Sequence, residues 1–275
     1  MADNWMDLKP RCAALLMLDS AISSSPLLSI DGARATIRLN RPREHNRIDP
    51  ADLPVLRDQL EAVARTPGVR ALVVTGTGDK TFSSGYTLQA LIDLDASDHT
   101  IKWDTLMDSI EDYSVPTIAA LNGSVYGGAT DLALACDFRV GVTGSRFVMP
   151  AMRIGLHYYP GAMRRYVERL GLAAAKRLFL LGEPVAAEQM DALGFYDALV
   201  APAEFDARVT TMVESLAAGA PAVVRSMKQH LNAIARGKMD AYAIDQAYVA
   251  SQRSEDLKEG IAAMQEKRPA RFRDA

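Results

Sequence analysis

A chain of 275 residues with 31 basic and 34 acidic side chains, a net charge of −3 and 49% hydrophobic content is long enough to bury a large core in one domain or two. The near balance of charge excludes a global bias toward nucleic acid. Two cysteines, Cys12 and Cys136, cannot make a disulfide framework, so a reducing cytoplasm is the expected compartment. The apolar run from Ala13 to Leu18 is too short for a membrane span and meets Asp19 at once, and His45, His99, His157 and His230 show no metal-ligand spacing.

In chain order, residues 1–27 read as an N-terminal extension, with Ser23-Ser24-Ser25-Pro26 as the joint before the first strand. From 28 to 202 short apolar strands alternate with helices, which predicts an α/β core with a strand-rich centre wrapped by helices. Asp49-Pro50-Ala51-Asp52 reads as a helix start, since proline is tolerated in a first turn and carboxylates favour the positive dipole end. Ala71-Leu72-Val73-Val74-Thr75 and Val115 to Leu121 have the length and composition of buried strands. From 203 to 275 apolar residues recur at helical spacing, as in Phe205, Val209, Met212, Val213 and Leu216, which predicts a helical C-terminal segment.

Each of the two buried runs leads into a glycine-bearing loop: Phe82-Ser83-Ser84-Gly85-Tyr86 and, about forty residues on, Asn122 to Asp131 with Gly127-Gly128 inside it. Glycine lets the backbone turn sharply and lets a ligand approach closely. Backbone N–H groups from two such loops can converge on one thioester carbonyl oxygen and stabilise the negative charge that develops there. Gly127 and Gly128 precede the apolar helical run Leu132 to Ala135, so that oxygen would also gain from a helix N-terminus.

At these loops the chain resembles the crotonase (enoyl-CoA hydratase/isomerase) superfamily, and the resemblance runs over roughly residues 28 to 273. It is carried by Ile37 to Pro42 with Asn46, by Leu72 to Leu88, by Asn122 to Phe138, by Phe147 to Gly155, by Leu178 to Glu183, by Ala192 to Asp197 and by Ser254 to Pro269, in family order. It implies a crotonase-like spiral of ββα repeats and a helical C-terminal segment that mediates trimer packing, hence a homotrimer or a hexamer. The implied ligand is an acyl-CoA thioester, with no cofactor beyond the coenzyme A carried by the substrate, and the implied setting is fatty acid metabolism. Carried over by position, the oxyanion donors are the N–H groups of Tyr86 and Gly128, and Asn46, Ser84 and Lys267 fall in CoA-binding positions.

The side chains depart from the family pattern. Family hydratases hold water between two glutamates; here the first position is Asp131 and the second, after Pro150, is Ala151. Alanine moves no proton, and aspartate retracts its oxygens by about 1.5 Å, a misplacement that costs on the order of a hundredfold in rate. Proton-capable groups appear instead in Gly155-Leu156-His157-Tyr158-Tyr159-Pro160-Gly161, where Tyr158 resembles the tyrosine of methylmalonyl-CoA decarboxylase. The candidate catalytic residues are therefore Asp131, Tyr158 and His157. Arg153 could pair with Asp131 or with a substrate carboxylate. Each of these residues has a plainer reading: Asp131 as a helix-end carboxylate, His157 as a hydrogen-bonded residue, the tyrosines as pocket wall, Arg153 as a surface charge, Lys267 and Arg268 as a solvated pair. Asp137 is assigned to structure. Isomerisation at an oxyanion-stabilised enolate is the expectation, with decarboxylation of a malonyl-type ester, hydrolysis, or silent acyl-CoA binding as alternatives.

Overall fold

The computed structural model describes residues 24–92 and 102–273; of the N-terminal extension, residues 1–23 lie outside the described residues. The larger of two sheets runs in the order β1 (Leu27–Asp31), β2 (Arg34–Leu39), β3 (Ala71–Gly76), β5 (Thr117–Leu121), β7 (Phe138–Val142) and β10 (Ala198–Val200). β1 and β2 are antiparallel and every later pairing in this sheet is parallel. The smaller sheet takes β4 (Thr81–Ser83), β6 (Ser124–Tyr126), β8 (Arg146–Val148) and β9 (Val185–Ala186), with only the last antiparallel.

A repeating step explains the two sheets. β3 passes to β4, β5 to β6 and β7 to β8, and after each pair a helix carries the chain back, because parallel neighbours need a crossover. The helices are α1 (Asp52–Arg65), α2 (Leu88–Ile92), α3 (Trp103–Glu111), α4 (Gly128–Ala135), α5 (Pro160–Leu181, interrupted at Gly171) and α6 (Ala187–Ala192). This is the mixed α/β fold of ββα units that the sequence predicts.

Both predicted strands are buried along their whole length, as expected for sheet strands covered on both faces. The two-residue period sends Leu72 and Val74 into a core shared with Leu53, Leu56 and Leu60 of α1, while Ala71 and Val73 enter a second core on the other face. That second face is closed by α7 (Phe205–Ala217), whose Phe205, Val209, Met212 and Val213 are buried at the spacing read from the sequence. Burying four such side chains contributes on the order of 6–12 kcal/mol before chain entropy is set against it.

The helix after residue 49 starts at Asp52, leaving Pro50 outside its first turn. The Asp52 carboxylate faces back instead, accepting from Asp49 N at 2.8 Å and from Arg41. The tail continues through α8 (Pro221–Ala235), α9 (Ala241–Gln252) and α10 (Glu255–Glu266). α8 meets the core through polar ties: Lys228 pairs with Asp137 at 2.6 Å and Asn232 donates to Glu111 O at 3.0 Å.

Candidate active site

The two glycine loops meet. Gly85 has φ +84° and Gly127 φ +52°, a region that side chains disfavour. A Cβ on Gly85 would stand 2.6 Å from Gly128 N and 2.8 Å from Ala129 N, and one on Gly128 would stand 3.3 Å from Tyr86 N and 3.2 Å from Trp103 Cζ2. Only glycine therefore permits the approach that sets the Tyr86 and Gly128 N–H groups side by side. The neighbouring pairing goes around the first of them, with Ile48 N donating to Gly85 O at 2.9 Å and Thr87 N to Ile48 O at 3.0 Å. The second begins α4, where a helix offers its own N–H groups no acceptor. An oxygen gaining negative charge between the two would accept from both and lie at the positive end of α4. The rings of Tyr86 and Trp103, 5.5 Å apart, wall this spot.

One turn into α4, Asp131 is 0% exposed. Arg165 grips it in a two-pronged pair, Nε to Oδ1 and Nη2 to Oδ2, each 2.8 Å, and the Tyr159 hydroxyl donates to Oδ2 as well. Arg165 is itself fully buried and reaches Asp108 at 2.7 Å and Glu111 at 2.9 Å. Burial pulls its pKa down, but the hydrogen bond and charge of Asp131 more than reverse this and raise it. Burial likewise works against ionised Glu111, yet Arg164 and Arg165 overcome it and bring its carboxyl to about 2. The Tyr159 phenol is pushed well above its ordinary value, first by burial and then by Asp131, so it stays a neutral donor. With Tyr159 in place, both carboxylate oxygens are engaged and closed to solvent.

Tyr158 is half-buried, stacked on Tyr159 with ring centres 5.6 Å apart and edge-on to Phe179 at 5.3 Å, and burial raises its pKa. Ala151 is buried in the core cluster that also contains Ala129 and Leu132 of α4. His157 is exposed, and because its Nδ1 lies 2.7 Å from Tyr158 O, a carbonyl, that nitrogen is assigned the proton. Asn46 is buried with φ +53°; its Nδ2 donates to Thr77 O at 3.0 Å and Thr81 O at 2.8 Å, and its Oδ1 accepts from Arg41 N, so the side chain is spent on holding its turn. Ser84 is half-buried, with N donating to His45 O at 2.8 Å. Lys267 caps the C-terminus of α10 in an exposed position, and no hydrogen bond or ion pair among the described residues joins it to the glycine loops. Asp137 accepts from Thr117 N at 2.7 Å and from Thr117 Oγ1 at 2.9 Å, a purely structural tie.

The structure thus brings together Tyr86, Gly128, Asp131 and Tyr158, and leaves His157 and Lys267 outside that group. Sequence reading paired Arg153 with Asp131 as one option; Arg153 instead donates to Gly182 O at 3.1 Å and Arg165 takes the aspartate. A usable signal existed, because Ala162, Arg165 and Tyr166 share the buried stripe of α5, and an arginine on such a stripe demands a carboxylate.

Two sheets stepped by ββα units, with two glycine loops meeting at a helix N-terminus, define a protein of the crotonase fold. The chain belongs to the enoyl-CoA hydratase/isomerase family, whose sequence profile matches residues 30–275. It is 29% identical over 243 residues to the crotonyl-CoA hydratase of Syntrophomonas wolfei, covering 86% of this chain and 94% of that protein. It is 28% identical over 241 residues to the 2,3-dehydroadipyl-CoA hydratase of Escherichia coli K12, covering 86% and 94%. The solved structure of an enoyl-CoA hydratase from Bacillus anthracis superposes with a TM-score of 0.81 at 27% identity, covering 91% of this chain and 99% of that one.

Proposed function

We propose that this enzyme acts on an acyl-CoA thioester by stabilising its enolate between the N–H groups of Tyr86 and Gly128, and that it shifts a double bond rather than adding water. The close approach of Gly85 to Gly128 N, 2.6 Å from where a Cβ would stand, is the observation that carries this reading. Isomerisation needs one base to take a proton from one carbon and return it to another, whereas hydration by paired carboxylates needs a second acid. Asp131 is the carboxylate beside the loops, and buried Ala151 offers none. Enolate formation and proton transfer call for no group beyond the coenzyme A of the substrate. A homotrimer or hexamer is supported by the large apolar side chains that the tail leaves exposed, among them Met227, Leu231, Ile261 and Met264.

The Asp131 clamp favours a second reading. Loss of CO₂ from a malonyl-type thioester leaves its electron pair on the enolate and needs the backbone donors but no base, so a carboxylate held by Arg165 and Tyr159 is no obstacle to it. Mass spectrometry of 3-enoyl-CoA, crotonyl-CoA and methylmalonyl-CoA incubated in D₂O separates these outcomes. Double-bond migration with deuterium uptake, abolished by Asp131→Asn, is the result expected for isomerisation. CO₂ loss that survives Asp131→Asn replaces it with decarboxylation, and efficient net hydration contradicts both.

A further inference from the structure

A cavity of about 400 Å³ lies on the face of the large sheet covered by α7, and none of Gly85, Tyr86, Gly127 and Gly128 lines it. Arg34 and Arg38 line it together, because both point to the same side of β2, four residues apart and level with Ala71 and Thr75 of β3. Each guanidinium commits one N–H locally: Arg34 Nε donates to Thr36 Oγ1 at 3.0 Å and Arg38 Nη1 to Gly76 O at 3.1 Å. Lys80 adds a third positive charge, and Val142, Phe205 and Val209 supply an apolar floor.

The contrast with fully buried Arg165 is informative. Arg165 has its desolvation reversed by Asp131, whereas burial leaves Arg34 with a lowered pKa, and Arg38 beside it lowers it further against the opposing charges of Asp206 and Asp31. Asp79 and Asp206 also line the cavity; both are exposed, as Arg38 and Lys80 are, so water screens these four charges and half-buried Arg34 is the least screened of the set. A half-buried guanidinium that lacks full compensation gains most from an anion that can meet its planar donor face.

We propose that this cavity is a second binding site, for a small organic anion whose phosphate or carboxylate is held by Arg34 and Arg38 while its apolar part rests on Val142, Phe205 and Val209. Its volume falls in the range of small-molecule sites. The cavity is also lined by Gly76, Gly78, Asn122 and Gly123, the residues at which the chain leaves β3 and β5 for the two glycine loops. This assignment does not depend on which reaction the family site performs.

The test is calorimetric titration of the full chain with phenyl phosphate and, separately, with benzoate, each in the presence of saturating crotonyl-CoA so that the thioester site is occupied. Saturable binding of at least one probe, weakened at least tenfold in R34Q/R38Q, is expected, and the better probe identifies the acid group. Arg38 is exposed, so R38Q alone carries the test if the double variant proves unstable. Equal affinity in wild type and variant, or no saturable binding of either probe with the thioester present, overturns the proposal.

Discussion

The two halves of the site are built by opposite means. The half around Gly85 and Gly128 is backbone packed against backbone, with donors that have no charge to lose and no side chain to misplace. The half around Asp131 is a cluster of ionised side chains, Asp131, Arg165, Glu111 and Arg164, that satisfy one another before any substrate arrives. Pre-aimed dipoles cost nothing to reorganise during reaction, while a buried carboxylate already paired twice must break contacts to act. On the proposed reading the work is divided: the backbone half holds the enolate oxygen ready-made, while the ionic half ties α3, α4 and α5 together and must loosen its grip on Asp131 before that carboxylate can move a proton.

Breaking the ionic half has the largest expected effect on stability. Arg165→Met leaves Asp131 and Glu111 buried without their shared cation, and urea unfolding is expected to show a loss of about 3–5 kcal/mol. Breaking the backbone half acts on rate instead. Gly85→Ala drives a Cβ against Gly128 N, and turnover is expected to fall by about 10²–10³-fold with the circular dichroism spectrum retained. A retained rate would separate the Gly85 contact from catalysis.

A pH series sharpens the same contrast. The folded-state carboxyl of Glu111 sits at about 2, below its ordinary 4.5, so its contribution is complete above pH 4.5 and is lost as pH falls toward 2. That contribution is on the order of 3 kcal/mol, and acid unfolding of Glu111→Gln is expected to lack it. The smallest effect belongs to Tyr159→Phe, which removes one hydrogen bond to Asp131 and is expected to cost about 1 kcal/mol. Because Arg165 still holds both carboxylate oxygens in place, the change is not expected to slow deuterium uptake at the acyl chain; a tenfold loss would make the hydroxyl itself part of the proton path.

Much of the backbone half was legible in the sequence. Continuous apolar runs marked β3 and β5 as strands buried on both faces, and glycines placed just after them marked the turns. The helical spacing of Phe205, Val209, Met212 and Val213 likewise fixed the face that α7 buries. The ionic half was far less legible, since Asp131 and Arg165 are thirty-four positions apart and nothing local in either segment names the other. Asn46 shows the same limit from another side: its position marked a ligand turn, yet only the folded chain reveals a carboxamide spent on three backbone partners. The helix start within Asp49 to Asp52 was legible, but not that the Asp52 carboxylate would turn back to accept from Arg41.

The central claim, that two backbone N–H groups polarise the thioester carbonyl, is tested most directly by isotope-edited infrared spectroscopy of crotonyl-CoA labelled with ¹³C at the carbonyl. Polarisation by both donors predicts that the carbonyl stretch moves to lower frequency on binding to the wild type and to Asp131→Asn alike, and returns toward its solution value in Gly85→Ala. A bound carbonyl whose frequency in the wild type equals that in water would contradict it.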